Sequence, residues 1–317
     1  MLYVCIPAFN EAATVGVLLW RIRTVFQEAA RDYEIVVYDD GSTDATAEVL
    51  APYARTLPLT LLRGEGRRGA GAAVEALCRH VARTTRYPRR DAMVVMQGDF
   101  TDRAEDLPEL LRRFEGGADL VVGRRPPAPE QPEGERRLRR LAPWVLRPFV
   151  GVAEVDDLLT SYRLVRVSVL RDALRERGEA PLLPATGWAA TVELALAVAP
   201  HARRVEVLDL PGRYDVRPRA SRLDWLGELR ALGAHAWRSR GRRVRAGERV
   251  GVRGVAGAGR ERGRPAAATA EPGSTGGGEG AALPPTALTP VPEGGLAAAA
   301  GAAAEVAAVP VAVAPRG

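Results

Sequence analysis

The sequence predicts an α/β fold, a mostly parallel twisted sheet with helices on both faces. Short apolar runs rich in β-branched residues alternate with helical patterns over roughly the first 125 residues, as in a doubly wound sheet. Two of those runs end in acidic turns containing glycine, "YDDGSTDAT" and "QGDFTD", and ligands of open parallel sheets bind at such strand ends. A chain of 317 residues that is 46% hydrophobic can bury a sizeable core, as one large domain or two small ones.

Residues 2–6 read as the first strand and 12–30 as its helix. The run 35–38 is too short for a helix face and rich in β-branched and aromatic residues, so it is a strand. Asp39 and Asp40 fall at its carboxyl end. Gly41 permits a sharp turn, Ser42 or Thr43 can cap the next helix, and Asp44 favours the first turn of that helix over 47–54. Strand and helix then alternate as 59–62, 70–83, 92–96, 107–114 and 120–122. After Arg125 the alternation stops at "PPAPEQPEGE", too long for an ordinary connection. It reads as a mobile flap or as a disordered surface insertion.

The basic segment "RRLRRLAPWVLRPF" comes next. In the stretch 226–247, and just before it, Leu223, Leu226, Leu229, Leu232 and Trp237 fall near helical spacing ahead of a run of Arg. That pattern suits a helix lying on an anionic leaflet, and equally a helix packed on its own domain with a solvated basic end. From residue 248 to 317 the chain is Gly, Ala, Pro, Glu and Arg, the composition of a disordered tail. The expected organisation is a domain over 1–225, a basic amphipathic helix over 226–247 and the tail.

All 45 basic residues are Arg, and the net charge is +6. Nucleic acid, an anionic membrane or a phosphorylated substrate would each satisfy that sign. Nucleic acid fits least, because the Arg residues are not interleaved with stacking aromatics and aromatic content is only 5%. Cys5 and Cys78 are the two cysteines, without a CxxC or a His cluster, which argues for a reducing compartment and against a disulfide framework or zinc site. No signal-peptide pattern opens the sequence, and no apolar stretch reaches the roughly 18 to 20 residues of a spanning helix. The expected location is cytoplasmic or peripheral at the inner face of the cell membrane.

The strand over 92–96 brings Gln97, Asp99 and Asp102 to the same edge as Asp39 and Asp40. Carboxylates converging there suit a hard cation, Mg²⁺ or Mn²⁺, and Asp99 with a substrate diphosphate would suffice. The bland alternative is helix capping and solvation. "GEGRRG" at 64–69 matches the spacing of a dinucleotide fingerprint, but it falls in the third strand-helix unit. Its following acid, Asp91, precedes a strand instead of ending one.

Taken together, "IPAFNEAATV", "VVYDDGSTDAT", "GRRGAGAAVEA", "MQGDFTD", "LVVGRR", "VDDLLTSYR" and "RPRASRL" occur in an order that resembles family 2 glycosyltransferases. The branch most resembled is that of dolichol- or polyprenyl-phosphate mannosyltransferases, and the likeness covers about residues 2–225. It implies a GT-A fold, a nucleotide sugar (GDP- or UDP-linked) and inverting transfer, with a polyprenyl phosphate as acceptor. By position it implies that Pro7, Ala8, Asn10, Glu11 and Gln97 line the nucleotide-sugar pocket, that Asp39 and Asp40 address base and ribose, and that Asp99 holds the metal. Arg125, Asp157, Tyr162 and Arg163 match "GSR" and "DxxSGFR". Asp99, Asp157, Arg125 and Arg163 are the catalytic candidates, and Asp156 or Asp157 would serve as base toward an alcohol acceptor. Arg125 and Arg163, with Arg217, Ser221 and Arg222 of the "RxxGxSK" element, would grip the acceptor phosphate.

The sequence also departs from the family pattern. Gln97 stands for the first Asp of DxD, Thr101 for a Gln or Ser, Ser161 for a Gly and Arg222 for a Lys. Two other classes stay open: a sugar-phosphate nucleotidyltransferase, whose Gly-rich loop after the first strand is replaced here by "PAFNEA", and a nucleotide-sugar-binding protein without catalysis. A partner in the membrane is a further expectation the resemblance leaves open.

Overall fold

Along the first strand, β1 (Leu2–Ala8), side chains divide by alternation. Leu2, Val4 and Ile6 enter one apolar layer, and Tyr3 and Cys5 the other, as the two-residue period of a strand requires. Burial on both faces is the condition of a parallel strand covered by helices. The computed structural model describes residues 1–29, 31–214 and 223–247.

After β1 come α1 (Val15–Ala29), β2 (Tyr33–Asp39), α2 (Thr46–Thr56), β3 (Leu59–Arg63), α3 (Ala70–Thr84), β4 (Ala92–Val95), α4 (Leu107–Glu115) and β5 (Leu120–Arg124). Each expected element over this half is present. The α4 sequence illustrates why: Leu107, Leu110, Leu111 and Phe114 repeat at helical spacing and all four are buried, with Pro108 in the first turn where its missing N–H costs nothing.

The second half holds α5 (Glu133–Leu146), β6 (Gly151–Val152), β7 (Arg163–Arg166), α6 (Val167–Arg177), α7 (Gly187–Val198), β8 (Val205–Asp209), α8 (Trp225–Arg238) and β9 (Arg243–Val244). Seven strands form one sheet in the order β3-β2-β1-β4-β7-β5-β8, and β6 pairs with β9. Within the large sheet β7 alone runs antiparallel, Arg163 facing Val95 and Val122. It enters the sheet from the edge where β4 and β5 end. That direction leaves the segment before it, residues 156–162, at the carboxyl edge.

The flap expectation does not hold. The connection after β5 spans only 125–132, and the rest of the Pro- and Arg-rich stretch is α5, whose Leu138, Ala142 and Leu146 enter the core. Their stripe is hidden in sequence by the Arg residues around it. Gln131 in the connection is itself buried and bonds Tyr214 Oη at 3.3 Å. Helix α8 packs on its own domain as well, with Leu232 and Ala236 fully buried. It lies parallel to α5: Gly134 faces Trp225 near one end, and Gly233 faces Val145 near the other. The tail over 248–317, and Arg217, Ser221 and Arg222, lie outside the described residues.

Candidate active site

Backbone pairing sets the strand ends side by side. Ala8 is in register with Asp39, and Met96 N–H donates to Cys5 O at 2.9 Å. Asp39 and the end of β4 are therefore two strand spacings apart, about 10 Å, flanking the end of β1. The turn after β1 is locked to the turn after β2. Asn10, at a φ of 55°, accepts from Thr43 N–H at 2.8 Å and donates its own N–H to Ser42 Oγ at 2.9 Å. Glu11 N–H donates to Thr46 Oγ1 at 2.9 Å, and Ala12 N–H to Asp44 Oδ2 at 3.2 Å. The hydroxyls and Asp44 of "GSTDAT" thus hold the first turn in place. On the other side Gly98 lies against Glu11, a Cβ there coming within 3.4 Å of Glu11 Cγ.

The two acids after β2 have different fates. Asp39 is fully buried; Oδ1 accepts Ser42 N–H at 2.9 Å, and Oδ2 has no hydrogen-bond donor, the Arg63 Nε lying 3.7 Å away. A buried acceptor without a hydrogen-bond donor is costly, and the Arg63 guanidinium is the one charge that offsets it among the described residues. Asp40 spends both oxygens on the loop before α3, accepting Arg68 N–H at 2.9 Å and Gly69 N–H at 2.7 Å. Gly41, at φ +70°, lets that loop come close, since a Cβ there would stand 2.8 Å from the Gly66 backbone. Asp40 is a loop anchor, which corrects the expectation that it addresses base or ribose. The "GEGRRG" loop therefore sits against the Asp40 turn: Gly69 takes a φ of 92°, a Cβ on Gly64 would come within 2.9 Å of Tyr38 Oη, and Arg67 stacks over Phe9 at 4.3 Å.

After β4 the turn closes on itself. Asp102 Oδ2 accepts Gln97 N–H at 2.7 Å, Asp99 Oδ1 accepts Thr101 N–H at 3.1 Å, and Phe100 takes a φ of 66°. The Gln97 carboxamide donates to Ser161 Oγ at 2.9 Å. Pro7, Gln97 and Ser161 line a small hollow with Gly71, Val95 and Thr191.

Arg125 points inward and pairs with Asp102, with Glu135 at 4.0 Å. Burial opposes its charge, but Asp102, Tyr214 and Glu135 outweigh it and hold the guanidinium protonated beyond its usual range. For Asp102, burial raises the pKa against the pull of Arg125 and Gln97 N–H. Tyr214 Oη donates to Glu135 at 2.8 Å, and burial lifts its phenol to about 12. Arg139, one turn beyond Glu135 on α5, pairs with Glu135 at 3.2 Å and with Asp157 at 2.9 Å. Sequence reasoning missed Glu135 and Arg139. Their spacing of four, matched to Leu138, Ala142 and Leu146, was the available signal.

Asp157 also accepts Leu159 N–H at 3.0 Å and, more weakly, Arg125 N–H at 3.3 Å. Asp156 is exposed and pairs with Arg124 at 2.8 Å. The next element after them is a strand, β7. Arg163 is entirely buried and donates to Thr191 O at 2.5 Å and Leu158 O at 2.7 Å. Burial lowers its pKa to about 10. A guanidinium without solvent contact, held by two backbone carbonyls, fixes the segment before β7; it does not reach an acceptor phosphate. That corrects its reading as a catalytic and phosphate-binding residue. Tyr162 is likewise buried, its hydroxyl on Arg103 O at 2.8 Å.

Beside Asp157 opens a cavity of about 480 Å³, walled by Leu146, Val150 and Leu158 and rimmed by Arg124 and Arg139. Among the described residues no three His, Cys, Asp or Glu side chains group as a metal cage. The Asp99 carboxylate, with the Gln97 carboxamide two residues away, is donor chemistry that suits a hard ion drawing the rest of its shell from a diphosphate and water.

A sheet in this order, with nucleotide-type turns at its carboxyl edge, is the GT-A fold. Glucosyl-3-phosphoglycerate synthase from Mycobacterium tuberculosis, crystallised with Mn²⁺, UDP and glucosyl-3-phosphoglycerate, shares it at a TM-score of 0.51 and 20% identity, over 75% of this chain and 78% of that one. Residues 3–174 match Glycosyl transferase family 2, and the chain belongs to that family. It is 31% identical over 210 residues to the undecaprenyl-phosphate 4-deoxy-4-formamido-L-arabinose transferase of Pseudomonas aeruginosa, covering 63% of this chain and 57% of the relative. It is 31% identical over 122 residues to the dolichol-phosphate mannosyltransferase of Pyrococcus furiosus, 38% of this chain and 32% of that protein. The chain spans little more than half the length of the first of these relatives and about a third of the second.

Proposed function

We propose that this chain is an inverting glycosyltransferase that moves a sugar from a nucleoside diphosphate sugar to a polyprenyl phosphate. The observation that carries the reading is the lining up of the β1, β2 and β4 turns on one edge in a family 2 chain whose relatives carry polyprenyl-phosphate names. Asp39 Oδ2 would take an N–H or O–H of the nucleoside. Pro7, Ala8, Asn10 and Glu11 would form the wall around it, and Gln97 and Asp99 would face the diphosphate.

Mg²⁺ or Mn²⁺ held by Asp99 would supply charge neutralisation on the departing diphosphate. The chain's own residues orient the reactants. Arg125, locked by Asp102 and Glu135, holds the β4 and β5 turns together. The cavity next to Asp157 offers the acceptor an apolar wall and the Arg124 and Arg139 guanidiniums. A phosphate acceptor is already anionic and needs no general base; Asp157, tied to Arg139, would orient that guanidinium. Arg217, Ser221 and Arg222 complete the proposal as a phosphate-gripping element. We place the transferase domain at 1–225, the α8 region at 226–247 packed on it, and the tail at 248–317.

A peripheral position at a membrane would suit such an acceptor. Among the described residues no helix is long and apolar enough to cross one.

The test is incubation of purified protein with radiolabelled GDP- and UDP-sugars and polyprenyl phosphate. Labelled lipid is expected. Label in sugar phosphate on adding pyrophosphate, or saturable nucleotide-sugar binding without turnover, would overturn the proposal.

A further inference from the structure

Helix α5 turns a conspicuous face outward. With Leu138, Ala142 and Leu146 in the core, Arg137, Arg140, Trp144 and Arg147 succeed one another at spacings of three and four on the opposite side. Trp144 is 81% exposed, although burying an indole is among the more favourable contributions a side chain can make. The neighbouring α8 continues the surface, its Leu226 and Trp237 46% and 58% exposed and Arg230 between them. The two helices are parallel and in contact, and Trp237 stands edge-on to Phe149, just past the end of α5, at 5.6 Å.

The charge of this face is almost all of one sign. Arg137 pairs with Glu133, and Arg240 lies over the Trp237 ring at 5.0 Å. Arg136, Arg140, Arg147 and Arg230 make no ion pair among the described residues. Two indoles standing clear of a flat helix pair, ringed by uncompensated guanidiniums, match the headgroup layer of an anionic bilayer. Trp rings settle at that depth, and mobile lipid charges answer Arg wherever it lies. A protein partner would need one complementary set of acids and a recess for each ring.

We propose that the outward face of the α5–α8 pair docks the enzyme on an anionic membrane surface, with Trp144 and Trp237 entering the headgroup layer. This deepens the lipid-phosphate reading and rests on it for its purpose, since a docked enzyme meets a prenyl chain without drawing it into water. Of the face expected of α8, Leu226 and Trp237 belong to this surface, whereas Leu232 is spent on the core.

The experiment is co-sedimentation of the full chain with phosphatidylcholine vesicles, with or without about 30% phosphatidylglycerol and lacking polyprenyl phosphate. Binding should require the anionic lipid and weaken as salt is raised. Trp144→Ala with Trp237→Ala should weaken it about tenfold, and Arg140→Gln with Arg230→Gln about 25-fold, at about fivefold per Arg, all with unchanged far-ultraviolet circular dichroism. On a short, water-soluble prenyl phosphate the Trp variants should keep wild-type turnover. Equal binding to neutral vesicles, no binding, or variants that bind like the wild type would overturn the proposal. So would a vesicle-independent dimer that the Trp variants abolish. Vesicle binding with no transfer to any prenyl phosphate would support docking and overturn the acceptor reading alone.

Discussion

The Gln97 carboxamide and the Ser161 hydroxyl are hydrogen-bonded at 2.9 Å, although 64 residues separate them in the chain. Each departs from the family pattern, Gln for an Asp and Ser for a Gly, and the two departures meet. A neutral donor pair occupies a position where the resemblance places a negative charge, so the site holds one carboxylate fewer for an ion.

Gln97→Asp should therefore tighten Mn²⁺ binding in the presence of a nucleoside diphosphate by about tenfold, since an added carboxylate raises the ligand charge count. Ser161 can donate to the new carboxylate as it can accept from the amide. Calorimetric titration of Mn²⁺ into the two proteins checks this, and an unchanged affinity would remove Gln97 from the neighbourhood of the ion.

Asp99→Ala should lower transfer by at least about a hundredfold, the scale of losing a group that stabilises transition-state charge. Its effect on folding should be small, because Asp99 is only partly buried and its Oδ1 serves the local turn. Turnover at limiting Mg²⁺ that matches the wild type would contradict the assignment.

Asp40→Ala should act on stability first. It leaves Arg68 N–H and Gly69 N–H without their acceptor, a cost of about 3 kcal/mol for two hydrogen bonds to a charged group. Urea denaturation measures it, and a stability like the wild type's would return Asp40 to the ligand-binding groups.

Arg163→Met should lower stability by about 2–4 kcal/mol, because Leu158 O and Thr191 O lose their donor in the core. The folded fraction should keep its KM for the acceptor. A raised KM with an undiminished melting temperature would restore Arg163 to the acceptor site.

Acid should weaken the packing of α8. His235 is buried there, and burial lowers its pKa from 6.5 against the opposing pull of Glu193, with Arg242 and Arg238 adding to the lowering. Arg242 also pairs with Glu193 at 2.7 Å, and Arg177 holds the same carboxylate. The unfolded chain therefore binds more protons below pH 6.5, so this contribution is complete above that pH and is lost as pH falls toward the folded value. His80, also lowered by burial, acts in the same direction. His235→Gln should flatten the fall in urea stability between about pH 7.5 and 5.5; an identical slope would assign the acid sensitivity elsewhere.

Much of this was legible in the residues themselves. Alternating apolar residues at Leu2 to Ile6 and Ile35 to Val37 fix two-sided strands, and Asp39, Gln97 and Asp99 fall at the strand ends by simple count. Local pattern was misleading where charge masked periodicity, as in α5, and where direction depends on distant partners, as in antiparallel β7.

By itself, then, the sequence determined the strands and helices of the first half and the family to which the turns belong, because those arise from periodicities of two and 3.6 and from short motifs. Only the tertiary structure decided which side chains remain available for chemistry. Asp40 is consumed by the N–H of Arg68 and Arg163 by the carbonyl of Thr191, each 28 residues away, whereas one oxygen of Asp39 is left without a donor. A polar group's role depends on which partners the packing brings within hydrogen-bond reach, and no local run of residues carries that information.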